Sequence, residues 1–251
     1  MKKILFLFIL FSSTCLFSQR TIHVFVALCD NANQGIVPVP KTLGNGQNPR
    51  TNLYWGALYG VKTHFKRSKD WVFIKSVKSD NPKILERVLF KHATSNTYLL
   101  ADAYDGKYIK QTITHFLEAT AGNNEESINH NSVNLKFGGN ANLLSYIGHN
   151  GLMEFSVRGN FTPKNKMKRD AIMLACISKS YFTPYLKQTK AIPLVWSTGL
   201  MAPEAYTLKW AIDGWIQKET NLQIRERAAN AYNKYQKCGL KGAKRLLVTG
   251  Y

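Results

Sequence analysis

Residues 143–151, LLSYIGHNG, and residues 171–178, AIMLACIS, are two apolar runs of strand length, and each leads to a reactive side chain. The first run leads to His149 and the second to Cys176. In an open α/β sheet, ligands and catalytic groups collect beyond the carboxyl ends of parallel strands. We therefore expect the two strands to be neighbours that bring the imidazole and the thiol into one crevice.

Strand-like and helix-like segments alternate along the rest of the chain. A β-branched, apolar run at 21–30 is typical of a strand buried on both faces, and a Gly- and Pro-rich connection follows it. The other predicted strands are 71–77, 87–93, 97–103, 133–137 and 194–196, and the predicted helices are 52–65, 108–117, 203–216 and 221–237. This alternation predicts an α/β fold with a mostly parallel central sheet and helices on both faces.

The first eighteen residues have the pattern of a secretory signal peptide. Lys2 and Lys3 are followed by the apolar run ILFLFILF and by small residues that lead to Ser18. We expect cleavage near Ser18, a secreted or periplasmic location, and a single domain over residues 19–251. No later stretch has the roughly 20 apolar residues that a membrane span needs, so the mature chain is predicted to contain no transmembrane segment.

The chain is strongly basic. Its formal net charge is +19, and removing Lys2 and Lys3 lowers this to +17. Such a surface attracts polyanions, whether nucleic acids, acidic envelope polymers or acidic proteins, and does not choose among them. A solvated basic face explains the same charge without a partner.

Three cysteines remain in the expected mature chain: Cys29, Cys176 and Cys238. Because this number is odd in an exported protein, at least one thiol is free or pairs between molecules, and the pairing of Cys29 with Cys238 is open. A free thiol in an oxidising compartment is a candidate for chemistry. A buried structural cysteine is the alternative interpretation of any one of them.

The proposed chemistry pairs Cys176 with His149. A free cysteine has a pKa of about 8.5, so a nucleophilic thiol needs a nearby base or positive charge. His149 would accept the thiol proton and later protonate the leaving amine. The backbone N–H groups of Gly151 and Cys176 are candidates for stabilising the oxyanion.

The segments YIGHNG (146–151) and LACIS (174–178) resemble the caspase-like superfamily of cysteine peptidases, which includes caspases, metacaspases, legumain and gingipains. The resemblance implies a caspase-like sheet flanked by helices, a dyad of His149 and Cys176, a peptide or protein substrate, and chemistry that uses no metal or cofactor. It also implies that the end of the first strand helps to form the pocket for a substrate side chain.

Three residues near that strand end are candidates for the pocket. Asp30 would select a basic substrate side chain, and Arg50 an acidic one. Cys29 lies beside Asp30 and is also the second candidate nucleophile. For Asp30 and Arg50, the simpler interpretation is an ordinary loop charge.

Two other classes of function remain open from the sequence. A secreted metal-dependent nuclease would use His149-Asn150 together with His130-Asn131, but no acidic cluster with ligand spacing stands nearby, and Glu154 and Asp170 are isolated in the sequence. A non-catalytic envelope-binding protein would use its Trp and Tyr side chains as a contact surface.

Overall fold

The computed structural model describes residues 19–251, so the expected signal peptide lies outside the described residues. The strands are β1 (Arg20–Ala27), β2 (Trp71–Ser76), β3 (Ile84–His92), β4 (Thr97–Tyr104), β5 (Glu126–His130), β6 (Val133–Phe137), β7 (Leu143–Ile147), β8 (Asp170–Leu174), β9 (Ile192–Ser197) and β10 (Leu247–Val248). The α-helices are α1 (Val61–Arg67), α2 (Ile109–Thr120), α3 (Ser178–Thr189), α4 (Ala205–Ile216), α5 (Asn221–Gln236) and α6 (Leu240–Leu246).

Eight strands form one large mixed sheet in the order β10-β9-β8-β7-β1-β4-β3-β2. The five central strands, from β9 to β4, pair in parallel, whereas β2, β3 and β10 are antiparallel to their neighbours. Strands β1 and β4 are buried almost throughout, as expected for central strands covered on both faces. The predicted α/β fold with a mostly parallel sheet is therefore confirmed.

Helices cover both faces of the sheet. One apolar core lies between the sheet and helices α1, α4, α5 and α6, and a second lies between the opposite face and helices α2 and α3. The hairpin of β5 and β6 covers a third, smaller cluster over β3 and β4. Among residues 19–251, no helix is long and apolar enough to cross a membrane.

The structure differs from the sequence prediction in several segments. The predicted helix 52–65 is wrong over its first half, because Asn52 uses its side-chain amide to bond both backbone groups of Cys29, at 3.1 and 2.8 Å, and the helix begins only at Val61. Strict alternation is wrong for β2, β3 and β4, which are consecutive antiparallel strands. The sequence did not predict helix α3, whose interior Pro184 weakens the helical pattern.

A buried ionic network connects the hairpin to the sheet. Arg87 on β3 donates two hydrogen bonds to Asp102 on β4, at 2.6 and 2.7 Å, and two more to Glu126 on β5, at 3.1 and 3.2 Å. His23 on β1 bonds Asp102 through Nε2 at 3.0 Å and accepts the Gly138 N–H at Nδ1. Burial acts to raise the pKa of Asp102, but His23 and Arg87 outweigh it and hold that pKa below its usual value.

Candidate active site

The site lies where the strand order reverses. After β1 the chain crosses to the edge strand β2 and comes back inward through β3 to β4, beside β1; it then builds the other side of β1 outward with β7, β8 and β9. Strands β1 and β7 therefore flank a topological switch point, where ligands bind beyond the carboxyl ends of the strands in open α/β sheets. Cys29 follows β1 at this point, and His149 follows β7.

His149 and Cys176 follow neighbouring parallel strands. Ile147 pairs with Leu174 in the last matched position of β7 and β8, so each reactive residue lies two positions beyond that pair. Asn150 links the two strand ends, since its Nδ2 donates to the Cys176 carbonyl at 2.6 Å. Both predicted residues are thus at the same end of the sheet.

Cys176 lies on a tight strand-to-helix turn. Ile177, which follows it, has φ 49° and ψ 33°, a left-handed conformation that is an outlier for a β-branched residue. Such conformations cost on the order of 1–3 kcal/mol and persist only when the surroundings enforce them. Helix α3 begins at the next residue, so the turn presents the thiol at the end of β8, where it is partly exposed.

Two buried serines hold this turn. The Ser178 hydroxyl donates to the Met173 carbonyl at 2.9 Å and accepts the Ser197 N–H at 2.8 Å. The Ser197 hydroxyl in turn donates to the Ala175 carbonyl at 2.5 Å and accepts the Ser178 N–H at 3.2 Å. These hydrogen bonds therefore connect β8, β9 and the start of α3 on either side of Cys176.

His149 is fixed from both its backbone and its ring. The buried Tyr146 hydroxyl donates to the His149 carbonyl at 2.7 Å, and burial raises the pKa of Tyr146, which keeps this donor protonated. The ring Nε2 hydrogen-bonds Oε1 of Glu154, which also accepts the Gly35 N–H at 3.0 Å. Gly148, just before the histidine, has φ +151°, and a Cβ there would lie 2.9 Å from the Ala27 carbonyl oxygen.

The sequence analysis missed Glu154 as a partner of His149. Glu154 is isolated in the sequence, but the turn at Gly151–Met153 folds it back onto the imidazole five residues earlier. The only sequence feature that could have indicated this contact is the five-residue separation of the two residues across a Gly-containing turn. Asn150, Ser178 and Ser197 were missed because their partners lie in other elements.

The thiol of Cys176 contacts the segment that leads into α4. Its Sγ lies 3.4 Å from the Met201 nitrogen and 3.5 Å from the Met201 oxygen. The next residue, Ala202, donates its N–H to the Tyr232 hydroxyl at 3.1 Å. The sulfur therefore has polar backbone on one side while remaining partly exposed.

Cys29 is a poor candidate nucleophile in this structure. It is fully buried, and burial, the largest effect, raises the pKa of its thiol to about 11. Cys29, Cys176 and Cys238 are all free thiols, so no disulfide joins the three cysteines of the described chain. Cys29 and Cys176 both follow strands that pair with β7, which leads to His149, but of the two only the Cys176 thiol is partly exposed.

The three other expected site residues have different environments. The buried Asp30 carboxylate accepts hydrogen bonds from Ala32 N, Asn33 Nδ2 and Gln47 Nε2, at 3.0, 2.8 and 2.8 Å, and so organises its own loop. Arg50 is exposed on the same long connection. The Gly151 N–H donates to the His149 carbonyl at 3.2 Å, so this bond must open before Gly151 can serve an oxyanion. The substrate-pocket and oxyanion roles stay predictions.

The histidine pair considered for a nuclease is not assembled. His130 packs edge-on against Tyr98, with ring centroids 6.3 Å apart, at the amino end of β4 and hence at the opposite end of the sheet from His149. Within residues 19–251, no group of three or more His, Cys, Asp or Glu side chains is arranged to hold a metal ion.

The partly exposed thiol of Cys176 and the imidazole of His149 thus lie at the same end of the sheet, and the carboxylate of Glu154 hydrogen-bonds the imidazole. Short hydrogen-bonded turns hold each group in place. The chain matches no family model, no curated protein and no solved structure.

Proposed function

We propose that this protein is a cysteine-dependent hydrolase of the caspase-like type that cleaves peptide bonds, with Cys176 as nucleophile and His149 as its base. The observation that carries the proposal is the position of the two residues, two steps beyond the paired ends of neighbouring parallel strands. The resemblance of YIGHNG and LACIS to caspase-like peptidases supports the substrate class. The strained turn that presents Cys176 supports its role as nucleophile.

In the proposed reaction, His149 removes the thiol proton of Cys176. Since Nε2 is held by Glu154, the proton is taken by Nδ1, and the carboxylate stabilises the imidazolium that results. The sulfur attacks the peptide carbonyl and forms a carbon–sulfur bond as the carbonyl π electrons move to oxygen. The tetrahedral intermediate collapses, the carbon–nitrogen bond breaks, and the imidazolium gives its proton to the leaving amine.

Hydrolysis of the thioester completes the cycle. The unprotonated imidazole of His149 activates a water molecule, whose oxygen attacks the acyl carbon, and the Cys176 thiol leaves with a proton returned from the ring. The backbone N–H of Cys176 is the proposed oxyanion donor, and Gly151 contributes a second donor if its bond to His149 opens.

The test is covalent labelling with a thiol-directed peptidyl electrophile, followed by peptide mass mapping. Cys176 is expected to react in preference to Cys238, which is exposed but has no imidazole partner among its described contacts. Labelling of Cys176 is expected to fall sharply in the His149→Ala variant, while labelling of Cys238 stays unchanged. Equal reactivity of the two thiols in the wild-type protein, with no peptide turnover, would exclude the peptidase and leave a binding protein.

We also propose that the protein is exported and that its signal peptide is removed near Ser18. The basic start and the apolar run of the first eighteen residues support this proposal. Sequencing of the mature amino terminus is expected to begin near Gln19. Recovery of a full-length chain starting at Met1 from the cytoplasm would contradict it.

The basic surface supports a further proposal, a non-specific contact with polyanions. A net charge of +17 after removal of the signal draws polyanions to the surface without selecting among them. Such binding is expected to weaken steeply as salt rises from about 50 to 200 mM, because bound counterions are released. Affinity for an immobilised polyanion that does not depend on salt would argue against it.

A further inference from the structure

A partly open cleft lies beside the candidate dyad, between the loop after β7 and helix α3. Its volume is about 450 Å³, within the range of roughly 300–1,000 Å³ that is typical of small-ligand pockets. One wall carries Met153, Glu154 and Phe155, and the other carries Tyr181 and Tyr185. Glu154 is both a lining residue of the cleft and the hydrogen-bond partner of His149, so the cleft adjoins the proposed base through this side chain.

The cleft has a preformed shape. A Cβ at position 151 would lie 2.3 Å from the Phe155 ring, so Gly151 provides the space that seats this ring, which packs on the core beneath. The Tyr185 hydroxyl accepts the Val157 N–H at 3.4 Å and ties the loop to α3. Little ordering is therefore required when a ligand enters.

The large side chains of the lining are mostly apolar or aromatic, and Ser156 and Ser180 add two hydroxyls. Met153 and Tyr181 are 39% and 37% exposed, so both side chains are accessible to a ligand in the cleft. No Lys or Arg lines the cleft, and its one carboxylate, Glu154, already bonds His149 and the Gly35 amide. A charged side chain buried there would meet no free group of opposite charge among the lining residues, which is unfavourable.

We propose that this cleft is the subsite that binds a large apolar side chain of the peptide substrate, aromatic or long aliphatic. The proposal rests on the proposed function, because the occupant is a residue of the chain being cleaved. Burial of such a side chain against Met153, Phe155 and Tyr181 holds the neighbouring peptide bond beside Cys176. The sequence specificity of the enzyme is then set partly by helix α3, which begins directly after the nucleophile turn.

The test is a pair of matched peptide libraries, identical except that one residue near the cleaved bond is Phe, Leu or Met in one library and Ser or Asp in the other. The wild-type protein is expected to show at least a tenfold higher kcat/KM for the apolar library. Tyr181→Ala and Met153→Ala are expected to reduce this ratio to about threefold or less, whereas the control Leu240→Ala leaves it unchanged. Leu240 is also 39% exposed but lies on α6, outside the cleft.

A second variant tests for a changed preference rather than for a loss of preference. Tyr181→Lys places a cation at the rim of the cleft and is expected to shift preference toward an acidic side chain at the same substrate position. Unchanged preference in both Tyr181→Ala and Tyr181→Lys, with turnover retained, would overturn the subsite and leave the peptidase intact.

The inactive variant Cys176→Ala separates the two proposals further. Its binding of fluorescent peptides is expected to favour the apolar library and to lose that preference when Tyr181→Ala is added. If the wild-type protein cleaves nothing while Cys176→Ala shows this selectivity, the proposed function fails and the apolar subsite stands. If neither protein discriminates between the libraries, the subsite is refuted.

Discussion

Replacing Glu154 by Gln tests whether its carboxylate acts on His149. The glutamine keeps the length of the side chain and an oxygen that can accept from Nε2 of His149 and from the Gly35 N–H, so the loop should stay in place. It removes the negative charge that stabilises the imidazolium. We therefore expect Cys176 to be less nucleophilic while the fold is retained.

The magnitude follows from the hydrogen bond that is weakened. Hydrogen bonds to charged groups contribute about 1.5–3 kcal/mol, and the Glu154 side chain is 37% exposed, which favours the lower half of that range. A loss of about 1.5–2 kcal/mol corresponds to a rate reduction of roughly 10- to 30-fold, because each 1.36 kcal/mol is a factor of about ten.

The assay is the rate of alkylation of Cys176 by iodoacetamide, followed from pH 5 to pH 9 by peptide mass mapping. In Glu154→Gln the rate at neutral pH is expected to fall by roughly 10- to 30-fold. Cys238 in the same molecule serves as the internal reference, since its rate should not change. Glu125→Gln is the matched control, because Glu125 is a comparably exposed carboxylate that pairs with Lys164.

Two results would refute the reasoning. The first is a Cys176 rate within about twofold of the wild-type value across the whole pH range, since a charge worth 1.5 kcal/mol or more cannot then act on the dyad. The second is an equal fall in Cys238, which would show that the substitution changes the whole molecule rather than the site.

Three further predictions concern stability. Ser197→Ala leaves the buried Ala175 carbonyl without its hydroxyl donor and should lower the free energy of unfolding by about 1–3 kcal/mol, measured as a lower urea midpoint at constant m-value. Burial, Lys209 and Arg67 lower the pKa of His64 from 6.5 to about 4. Because the unfolded chain binds the proton first, the free energy of unfolding should fall by up to about 2 kcal/mol, after screening, as the pH drops from about 6.5 to 4. His64→Gln should remove this part of the pH dependence, and an unchanged pH dependence in the variant would contradict the prediction. Arg87→Met removes the two Arg87 hydrogen bonds of the buried Asp102 carboxylate and leaves it the bond to His23, and it should cost about 3 kcal/mol. The added Asp102→Leu removes the buried charge and should restore part of this loss; no recovery in the double variant would contradict the reasoning.

Much of the sheet could be predicted from local pattern. The run 21–30 has the continuous apolar character of a central strand and forms β1, and the runs 143–151 and 171–178 form β7 and β8 with their reactive residues at the same end. The predicted helix 221–237 matches α5 because its apolar residues recur at regular helical spacing; the structure adds a capping box of Thr220 and Gln223 at its start.

Other parts could not be predicted because their cause is not local. The segment that starts at Asn52 has helical spacing, but its amide bonds the end of β1 instead. Helix α3 contains Pro184 and begins from a left-handed Ile177, and both features weaken a helical pattern. Strand β6 was predicted at 133–137, but its polar partner β5 was not, because the hairpin is held by its contacts with β3 and β4.

By itself, the sequence determined which segments are buried strands, that His149 and Cys176 terminate two of them, and that the chain is strongly basic. These properties depend on the types of side chain and their spacing within about ten residues, so a local stretch of sequence is enough to predict them. The tertiary structure alone decided that the two strands are parallel neighbours, that Glu154 turns back to His149, and that an apolar cleft opens beside them. Those features depend on contacts between segments that are distant in sequence and on the course of the loops. Both are set by the packing of the whole core, so no local sequence pattern predicts them.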